Sequence, residues 1–244
     1  MYAKQGQFKS LNTRTQWVCW IFGISMLVYV IAVLSDFAQA GLLNRAIAGE
    51  TITWSEVMAN DTRQGVIGFA IFVLFIAEAI SFLMWVHRAH KNLPSLGATD
   101  LRFTPGWVVG WFFIPIMCLF RPYQAVAEIS KASDPKVDAT DGASWKSVAA
   151  LPLVGWWWAF FIISNYVAFM VARVALSMSY SYSTELSDFL FATYATIVSE
   201  AINILYLFIA ILMVRRISQS QEIKNRLVSP SVSGYKTPTF QASE

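Results

Sequence analysis

The chain contains only two histidines, and no familiar catalytic arrangement can be built around them. His87 and His90 are three residues apart, so both rings could lie at one end of a helix and share a metal ion. Zinc and di-iron sites need several further His or carboxylate ligands, and none lies nearby in the sequence. Gly-rich phosphate loops, the Gly-x-Ser-x-Gly elbow and His-Glu-x-x-His are also absent. We therefore expect no catalytic residue, no metal and no cofactor.

Acidic and amide side chains inside long apolar runs form a second set of candidates. Glu78 lies within one run, and Asn165 lies in another. Glu200 and Asn203 are three residues apart in a further run, so they share one helix face. A charge at membrane depth costs about 2.5–3.5 kcal/mol on insertion scales. These four residues are predicted to form a buried polar cluster. The cluster either joins neighbouring helices by hydrogen bonds or forms a site that binds protons or cations.

The segment Trp85–Pro135 differs from the rest of the chain in its density of Trp, Pro and Arg. Thr104 and Pro105 predict the start of a helix, and Pro115 predicts a bend that frees backbone carbonyls. Those carbonyls need donors within the protein, because lipid offers none. Two interpretations stay open: a structural plug with snorkelling Arg side chains, or a pocket for a substrate or lipid headgroup. The candidate pocket residues are Arg88, Asn92, Trp107, Trp111, Pro115, Arg121 and Tyr123.

A short amphipathic helix is predicted to follow this bend. Over Tyr123–Ala132, Val126 and Ile129 lie on one side, and Glu128 and Lys131 lie on the other. This pattern is typical of a helix on a membrane surface, with the charged side chains in water.

The elements that hold these residues are apolar runs long enough to cross a membrane. Hydrophobic residues make up 56% of the chain and charged residues 14%, which is unlike a water-soluble domain. The sequence predicts an all-α, polytopic membrane helix bundle over residues 17–220. It has four transmembrane helices at about 17–34, 65–86, 149–172 and 191–214, a Pro-kinked re-entrant or interfacial element at about 104–132, a cytoplasmic N-terminal segment at 1–16 and a disordered cytoplasmic tail at 221–244.

Charge bias predicts the orientation of these spans. Lys and Arg collect in the N-terminal segment, after the second span and after the fourth span, whereas the other two loops are richer in acids. Because basic residues favour the cytoplasmic side, we expect four spans with both termini in the cytoplasm. The short stretch Trp107–Phe120 is then expected to stay on the cytoplasmic side or in the interface.

The residues of the central segment resemble those of a known family. The matching positions are Trp85, Arg88, Ala89, Asn92, Phe103, Pro105, Trp107, Trp111, Pro115, Arg121, Pro122, Tyr123, Ala132, Ser133 and Pro135, with Ile217–Gln221 near the end. In these the chain resembles a bacterial membrane family catalogued as domain of unknown function 4328. Where the family usually has an Asn three residues before Arg-Pro-Tyr, this chain has Cys118. The family has no known activity, so the resemblance implies an architecture and a place in the bacterial inner membrane rather than a function.

Because no motif indicates an activity, we predict the function only from the broad class of membrane protein. We expect a non-catalytic membrane component that binds membrane lipids or a membrane protein partner, in a possible homo-oligomer. The alternatives are a small oligomeric transporter or channel that uses the buried acids, and a membrane enzyme of unrecognised chemistry. A nucleic-acid partner is not expected, because the net charge is +3 and the basic residues flank apolar runs.

Overall fold

The computed structural model describes residues 7–138, 140–180 and 185–233, so the predicted N-terminal segment and tail lie partly outside the described residues. No strand occurs in the described part of the chain, and the predicted all-α class is confirmed. The helices are α1 (Asn12–Ile47), α2 (Trp54–Lys91), α3 (Trp107–Gly110), α4 (Arg121–Ala132), α5 (Pro152–Tyr180) and α6 (Leu186–Ser233), with 3₁₀ turns at Leu93–Leu96, Met117–Leu119 and Ser144–Ser147.

Four of these helices, α1, α2, α5 and α6, are long and apolar enough to cross a membrane, as the sequence predicted. Each is longer than its predicted apolar span, because polar turns continue the helix beyond the apolar run. Hydropathy locates the apolar run, and local hydrogen bonds then decide where each helix begins and ends.

The start of α2 illustrates this local control. The Thr53 N–H donates to Glu56 Oε2 at 2.9 Å, and Thr53 Oγ1 accepts from the Glu56 N–H at 3.3 Å. This reciprocal pair is a capping box, which satisfies backbone donors that the first helical turn leaves free. The preceding helix α1 stops just before Gly49, whose φ of 82° is left-handed and suits glycine at a helix C-terminus.

The chain divides into two compact units. We call Met1–Thr15, Met84–Val154 and Val214–Glu244 the head unit, and Gln16–Leu83 with Gly155–Met213 the span unit. The span unit holds the central parts of the four long helices, whereas the head unit gathers three segments that are distant in sequence.

An aromatic cluster forms part of the core of the span unit. The ring centroid of Phe82 lies 6.4 Å from that of Phe22 and 5.3 Å from that of Trp157, which joins α2 to α1 and α5. Only 6% of the apolar window of α5 is buried, so most of its apolar side chains face outward. This is the surface expected of a helix whose surroundings are lipid.

The head unit has its own apolar core around α4. The end of α2, the 3₁₀ turn after it, α4 and the end of α6 all contribute side chains with no exposed surface. These are Trp85, Val86, Ala89, Leu93, Leu96, Ala125, Val126, Ile129, Ala132, Val214 and Ile217. Such a closed core makes the head unit a folded body rather than a set of loops.

The predicted tail differs from the structure over its first residues. Residues 221–233 continue α6 as helix, and Gln221 and Lys224 have only 0% and 2% of their surface exposed. Lys224 Nζ donates to Ala132 O at 3.0 Å. Polar composition predicted disorder here, but partners that are remote in sequence satisfy these polar groups and hold them in the head unit.

The predicted element at 104–132 is divided rather than one kinked helix. It consists of the single turn α3, an irregular loop with a 3₁₀ turn, and α4. Pro115 lies within the loop, where it cannot donate a backbone hydrogen bond. None of these pieces approaches the roughly 20 residues that a spanning helix needs.

Candidate functional site

Three predicted pocket residues form a stack in the head unit. Trp107 and Trp111 are one helical turn apart on α3 and at its C-terminal end, with ring centroids 4.8 Å apart. The Arg121 guanidinium carbon lies 5.3 Å from the centroid of the Trp111 ring and 5.9 Å from that of Phe120. We call Trp107, Trp111 and Arg121 the interfacial stack. The Trp107 ring packs on the Trp111 ring, and the Trp111 ring contacts the Arg121 guanidinium. This cation–π contact orients the Arg121 side chain.

Two donors of the interfacial stack are unused. Trp111 Nε1 and Arg121 Nε are buried atoms without a hydrogen-bond partner among the described residues. Arg121 Nη1 donates to Gln124 Oε1 at 3.2 Å, which uses one of its five N–H groups. Indole and guanidinium nitrogens only donate, so an acceptor such as a phosphate or carboxylate oxygen would satisfy both groups once the side chains move to expose them.

An exposed apolar loop leaves the interfacial stack. Between Trp111 and Arg121 the chain presents Phe113, Ile116 and Leu119 with 71%, 70% and 55% of their surfaces exposed. Ile116 has a φ of 67° and a ψ of −50°, and the Met117 N–H donates to Pro115 O at 2.7 Å. This is a γ-turn, a strained conformation for a β-branched residue. Large apolar side chains held outward in this way need an apolar environment.

The remaining predicted pocket residues have other placements. Pro115 lies in the exposed apolar loop, and Tyr123 follows the interfacial stack on α4 with 37% of its surface exposed. Arg88 is buried on α2 within the same unit, with 9% exposed.

Asn92 belongs instead to a buried hydrogen-bond network that we call the clasp. Its Nδ2 donates to Lys9 O at 2.9 Å and to Gln221 Oε1 at 3.1 Å, and its Oδ1 accepts from the Lys9 N–H at 3.3 Å. Gln221 Nε2 donates to Ala89 O and to Ser133 Oγ, both at 2.9 Å. The clasp ties the N-terminal segment, α2, the end of α4 and α6 together. Asn92 is therefore fully engaged and is not free to bind a ligand.

A second buried contact involves a residue that the sequence analysis put on the wrong face of α4. Glu128 is 5% exposed; its carboxylate accepts from the Arg102 N–H at 2.8 Å and lies 3.1 Å from His90 Nε2. The two polar groups contact each other in the core, where His90 is 1% exposed and its Nδ1 has no partner among the described residues. A signal was present in the sequence: Glu128 falls between Ala125 and Ala132 on the same helical side.

The predicted polar cluster of the span unit is not assembled as expected. Asn165 is exposed on α5 and donates to Phe161 O at 2.8 Å, while Asn203 donates to Ser199 O at 3.0 Å. Each amide thus satisfies a carbonyl of its own helix and needs no partner on another helix. Glu200 is buried, with 7% exposed, and it lies within electrostatic range of Asp36 on α1. The sequence analysis did not single out Asp36. Glu78 contacts Ser25 instead.

The sequence matches a family model. A family model described as "Domain of unknown function (DUF4328)" matches residues 48–219, which hold α2 to α5 and most of α6. Neither the curated proteins nor the solved structures contain a match to the chain.

Proposed function

Because this chain belongs to the family of Domain of unknown function (DUF4328), whose description assigns no activity, we propose a function from the geometry of the head unit. The protein is a non-catalytic, multi-pass membrane component that binds the headgroups of anionic phospholipids. The interfacial stack holds the phosphate, and the exposed apolar loop enters the adjoining acyl layer.

The observation that carries this proposal is the combination of unused donors with exposed apolar side chains. Arg121 has an Nε without a partner among the described residues, and a guanidinium matches the oxygens of a phosphate. Trp side chains favour the headgroup layer because one part of the ring is apolar and the N–H is polar. Phe113, Ile116 and Leu119 extend the same surface with groups that lipid tails solvate and water does not.

Chain connectivity favours lipid over a soluble ligand. The chain passes between the head unit and the span unit at four points, so the interfacial stack is tethered to helices that can cross a membrane. Such tethering makes the encounter with lipid intramolecular, and modest contacts then suffice for binding. The predicted cytoplasmic side of a bacterial plasma membrane supplies anionic lipid, which attracts arginine more than a neutral leaflet does.

The test counts lipids retained by the purified protein. Phosphatidylglycerol or phosphatidylcholine is added to the protein in detergent, and native mass spectrometry detects the retained lipid. We expect more phosphatidylglycerol than phosphatidylcholine to be retained. Arg121→Ala should weaken that retention by roughly 10–150-fold, since a hydrogen-bonded charge contributes about 1.5–3 kcal/mol. Arg121→Lys should be intermediate, because Lys keeps the charge and loses the planar stacking.

Arg102→Ala is the matched control. Arg102 is an exposed arginine of the head unit that lies over Phe103 at 5.6 Å, and its loss removes the same charge. We expect its effect to stay within about twofold, in line with an exposed charge. An equal loss in both variants, no loss in either, or equal retention of the two lipids would each contradict the proposal.

A further inference from the structure

Two arginines from distant parts of the chain meet near the end of α2 in the head unit. Arg14 Nη1 donates to Met84 O at 2.7 Å, and Met84 lies one helical turn before Arg88. A helical side chain leans back over the turn that precedes it, so the Arg88 side chain covers the part of α2 that the Arg14 guanidinium contacts. The two arginine side chains therefore share one region of the surface of α2.

The Arg88 side chain is buried, but its charged end is not enclosed. The residue is 9% exposed, and it makes no hydrogen bond or ion pair through its side chain with the described residues. The fully buried donors that lack a partner include Arg121 Nε but no nitrogen of Arg88. The Arg88 nitrogens therefore reach the small exposed area, while the apolar stem is packed in the core. This arrangement presents a free guanidinium at an opening in the surface of the head unit.

Two further basic residues extend this surface along α2. His87 and Lys91 follow Met84 by three and seven residues, and Arg88 follows it by four, which places all of them on one face of the helix. His87 is half-buried and Lys91 is exposed. We call Arg14, His87, Arg88 and Lys91 the basic face.

No carboxylate in the described part of the chain forms an ion pair with the basic face. The acids of neighbouring elements are engaged elsewhere: Glu222 Oε1 accepts from the Leu11 N–H at 3.0 Å, and Glu128 Oε2 accepts from the Arg102 N–H at 2.8 Å. The groups within electrostatic range of His87 are all basic: Arg14, Arg88, His90 and Lys91. The basic face thus has an excess of positive charge.

A helix end does not account for this excess. The C-terminal end of a helix carries a partial negative charge, which favours basic residues in its last turn. That attraction is weak, whereas a guanidinium that is mostly buried, like that of Arg88, has lost most of its water. Arg14 lies in the first turn of α1, where the partial charge is positive and disfavours a cation. The helix end therefore explains Lys91 but neither arginine.

We propose that the basic face binds one phosphate group, which the guanidinium groups of Arg14 and Arg88 hold between them. Guanidinium groups present N–H donors in a plane, in a geometry that matches phosphate oxygens. Arg14 uses one N–H for Met84 O, so both arginines keep donors for the ligand. The basic face has no residue in common with the interfacial stack, so this site goes beyond the lipid site proposed above.

The position of the basic face is compatible with two sources of phosphate. Arg14 precedes the apolar run of α1, and Arg88 follows the apolar run of α2. Both arginines thus flank spans, at the depth where lipid headgroups meet water. The phosphate belongs either to a lipid headgroup or to a soluble phosphate compound, and the chemistry of recognition is the same.

Thermal unfolding of the full-length protein in detergent tests the site, because a ligand that binds only the folded state raises the midpoint. The probes are a short-chain phosphatidic acid, the diacylglycerol with the same chains, and inorganic phosphate, all at one ionic strength. The wild type and Arg121→Ala, which lacks the charge of the interfacial stack, are measured in parallel. We expect phosphatidic acid to raise the midpoint in both proteins and diacylglycerol to leave it unchanged. An equal effect of inorganic phosphate would assign a soluble ligand, whereas an effect of phosphatidic acid alone would assign a lipid headgroup.

Substitutions then locate the binding. Arg14→Gln and Arg88→Gln should each raise the phosphatidic acid concentration that gives half of the effect by about tenfold or more, because each removes a charge-assisted hydrogen bond. Arg88→Lys should be intermediate, since it keeps the charge without the planar donors. Arg102→Gln is the matched control, because this exposed arginine lies over Phe103 and should change the concentration by less than about twofold.

The midpoint without ligand gives an independent measurement. Arg14→Gln and Arg88→Gln should unfold at or above the temperature of the wild type, because each removes one of several like charges. A lower midpoint for Arg88→Gln would show that its guanidinium already has a partner within the protein, which contradicts the site. No effect of either phosphate probe, an equal effect of diacylglycerol, an equal weakening by Arg102→Gln, or complete loss of the effect in Arg121→Ala would each overturn it as well.

Discussion

At the scale of single residues, Gln221 is a buried polar side chain whose effect on stability can be calculated. It has no exposed surface and makes three hydrogen bonds, to Ala89, Asn92 and Ser133. Gln221→Leu keeps the size of the side chain and leaves those partners unsatisfied. An unsatisfied buried polar group costs about 1–3 kcal/mol, so the thermal midpoint should fall by roughly 2–12 °C. Thermal unfolding in detergent, followed by circular dichroism, measures this shift.

The same helix offers a matched control two residues away. Gln219 is exposed on α6, so Gln219→Leu makes the same chemical change without breaking the clasp. Its midpoint should stay close to that of the wild type, as exposed substitutions usually do. Equal shifts for the two variants would mean that the clasp contributes nothing of its own.

Sequence reasoning found some members of the clasp and missed how they are used. Asn92 was predicted as a pocket residue, and Ala89, Ser133 and Gln221 carried the family resemblance. Their meeting depends on contacts between positions as far apart as 89 and 221, which no local pattern encodes. The Trp107–Trp111 pair could be predicted, because a spacing of four is decided within one helical turn.

At the scale of elements, the exposed apolar loop stores strain at Ile116. A β-branched residue with a φ of 67° costs about 1–3 kcal/mol, whereas glycine loses roughly 0.5–1 kcal/mol more backbone entropy than alanine. The side chain is 70% exposed, so its removal loses little packing within the protein. Ile116→Gly should therefore stabilise the solubilised protein by about 1 kcal/mol, measured as a raised midpoint of thermal unfolding in detergent.

Ile116→Ala is the control that distinguishes the effect of backbone strain on stability from the effect of removing the side chain. Alanine removes the same apolar group, yet its Cβ still opposes the left-handed conformation. Its midpoint should remain near that of the wild type and below that of Ile116→Gly. A stabilisation of the same size in both variants would attribute the gain to the lost side chain and not to the backbone.

Elements were predictable where hydropathy alone decides them. The four long helices follow from apolar runs of spanning length. The break at Pro115 and the short helix after it were predicted, whereas the burial of Glu128 and the helical residues 221–233 were not, because there polar groups are satisfied by tertiary partners. Lys224 is an example, because a lysine in a polar segment is expected to be exposed to solvent. Its hydrogen bond to Ala132 O joins residues that are distant in sequence, so it could not be predicted from the segment alone.

At the scale of the whole molecule, the three chain segments that form the head unit constrain the membrane topology. This one compact unit contains the N-terminal segment, residues 84–154 and the end of α6. Between the first two segments the chain runs through α1 and α2, and between the last two through α5 and α6. A folded body lies on one side of a membrane only if each such pair of helices crosses and returns. The head unit therefore requires an even number of crossings between its segments, which agrees with the charge bias of the sequence.

Cysteine labelling tests this topology directly. In a background of Cys19→Ala and Cys118→Ala, Lys136→Cys marks an exposed position of the head unit and Thr51→Cys marks the α1–α2 connection. In intact cells a membrane-impermeant maleimide should label Thr51→Cys and reach Lys136→Cys only after permeabilisation, because basic flanks stay in the cytoplasm. Labelling of both positions in intact cells would refute the four-span arrangement. The reversed pattern would keep the four spans and invert the orientation, which would remove the anionic inner leaflet from the reach of Arg121.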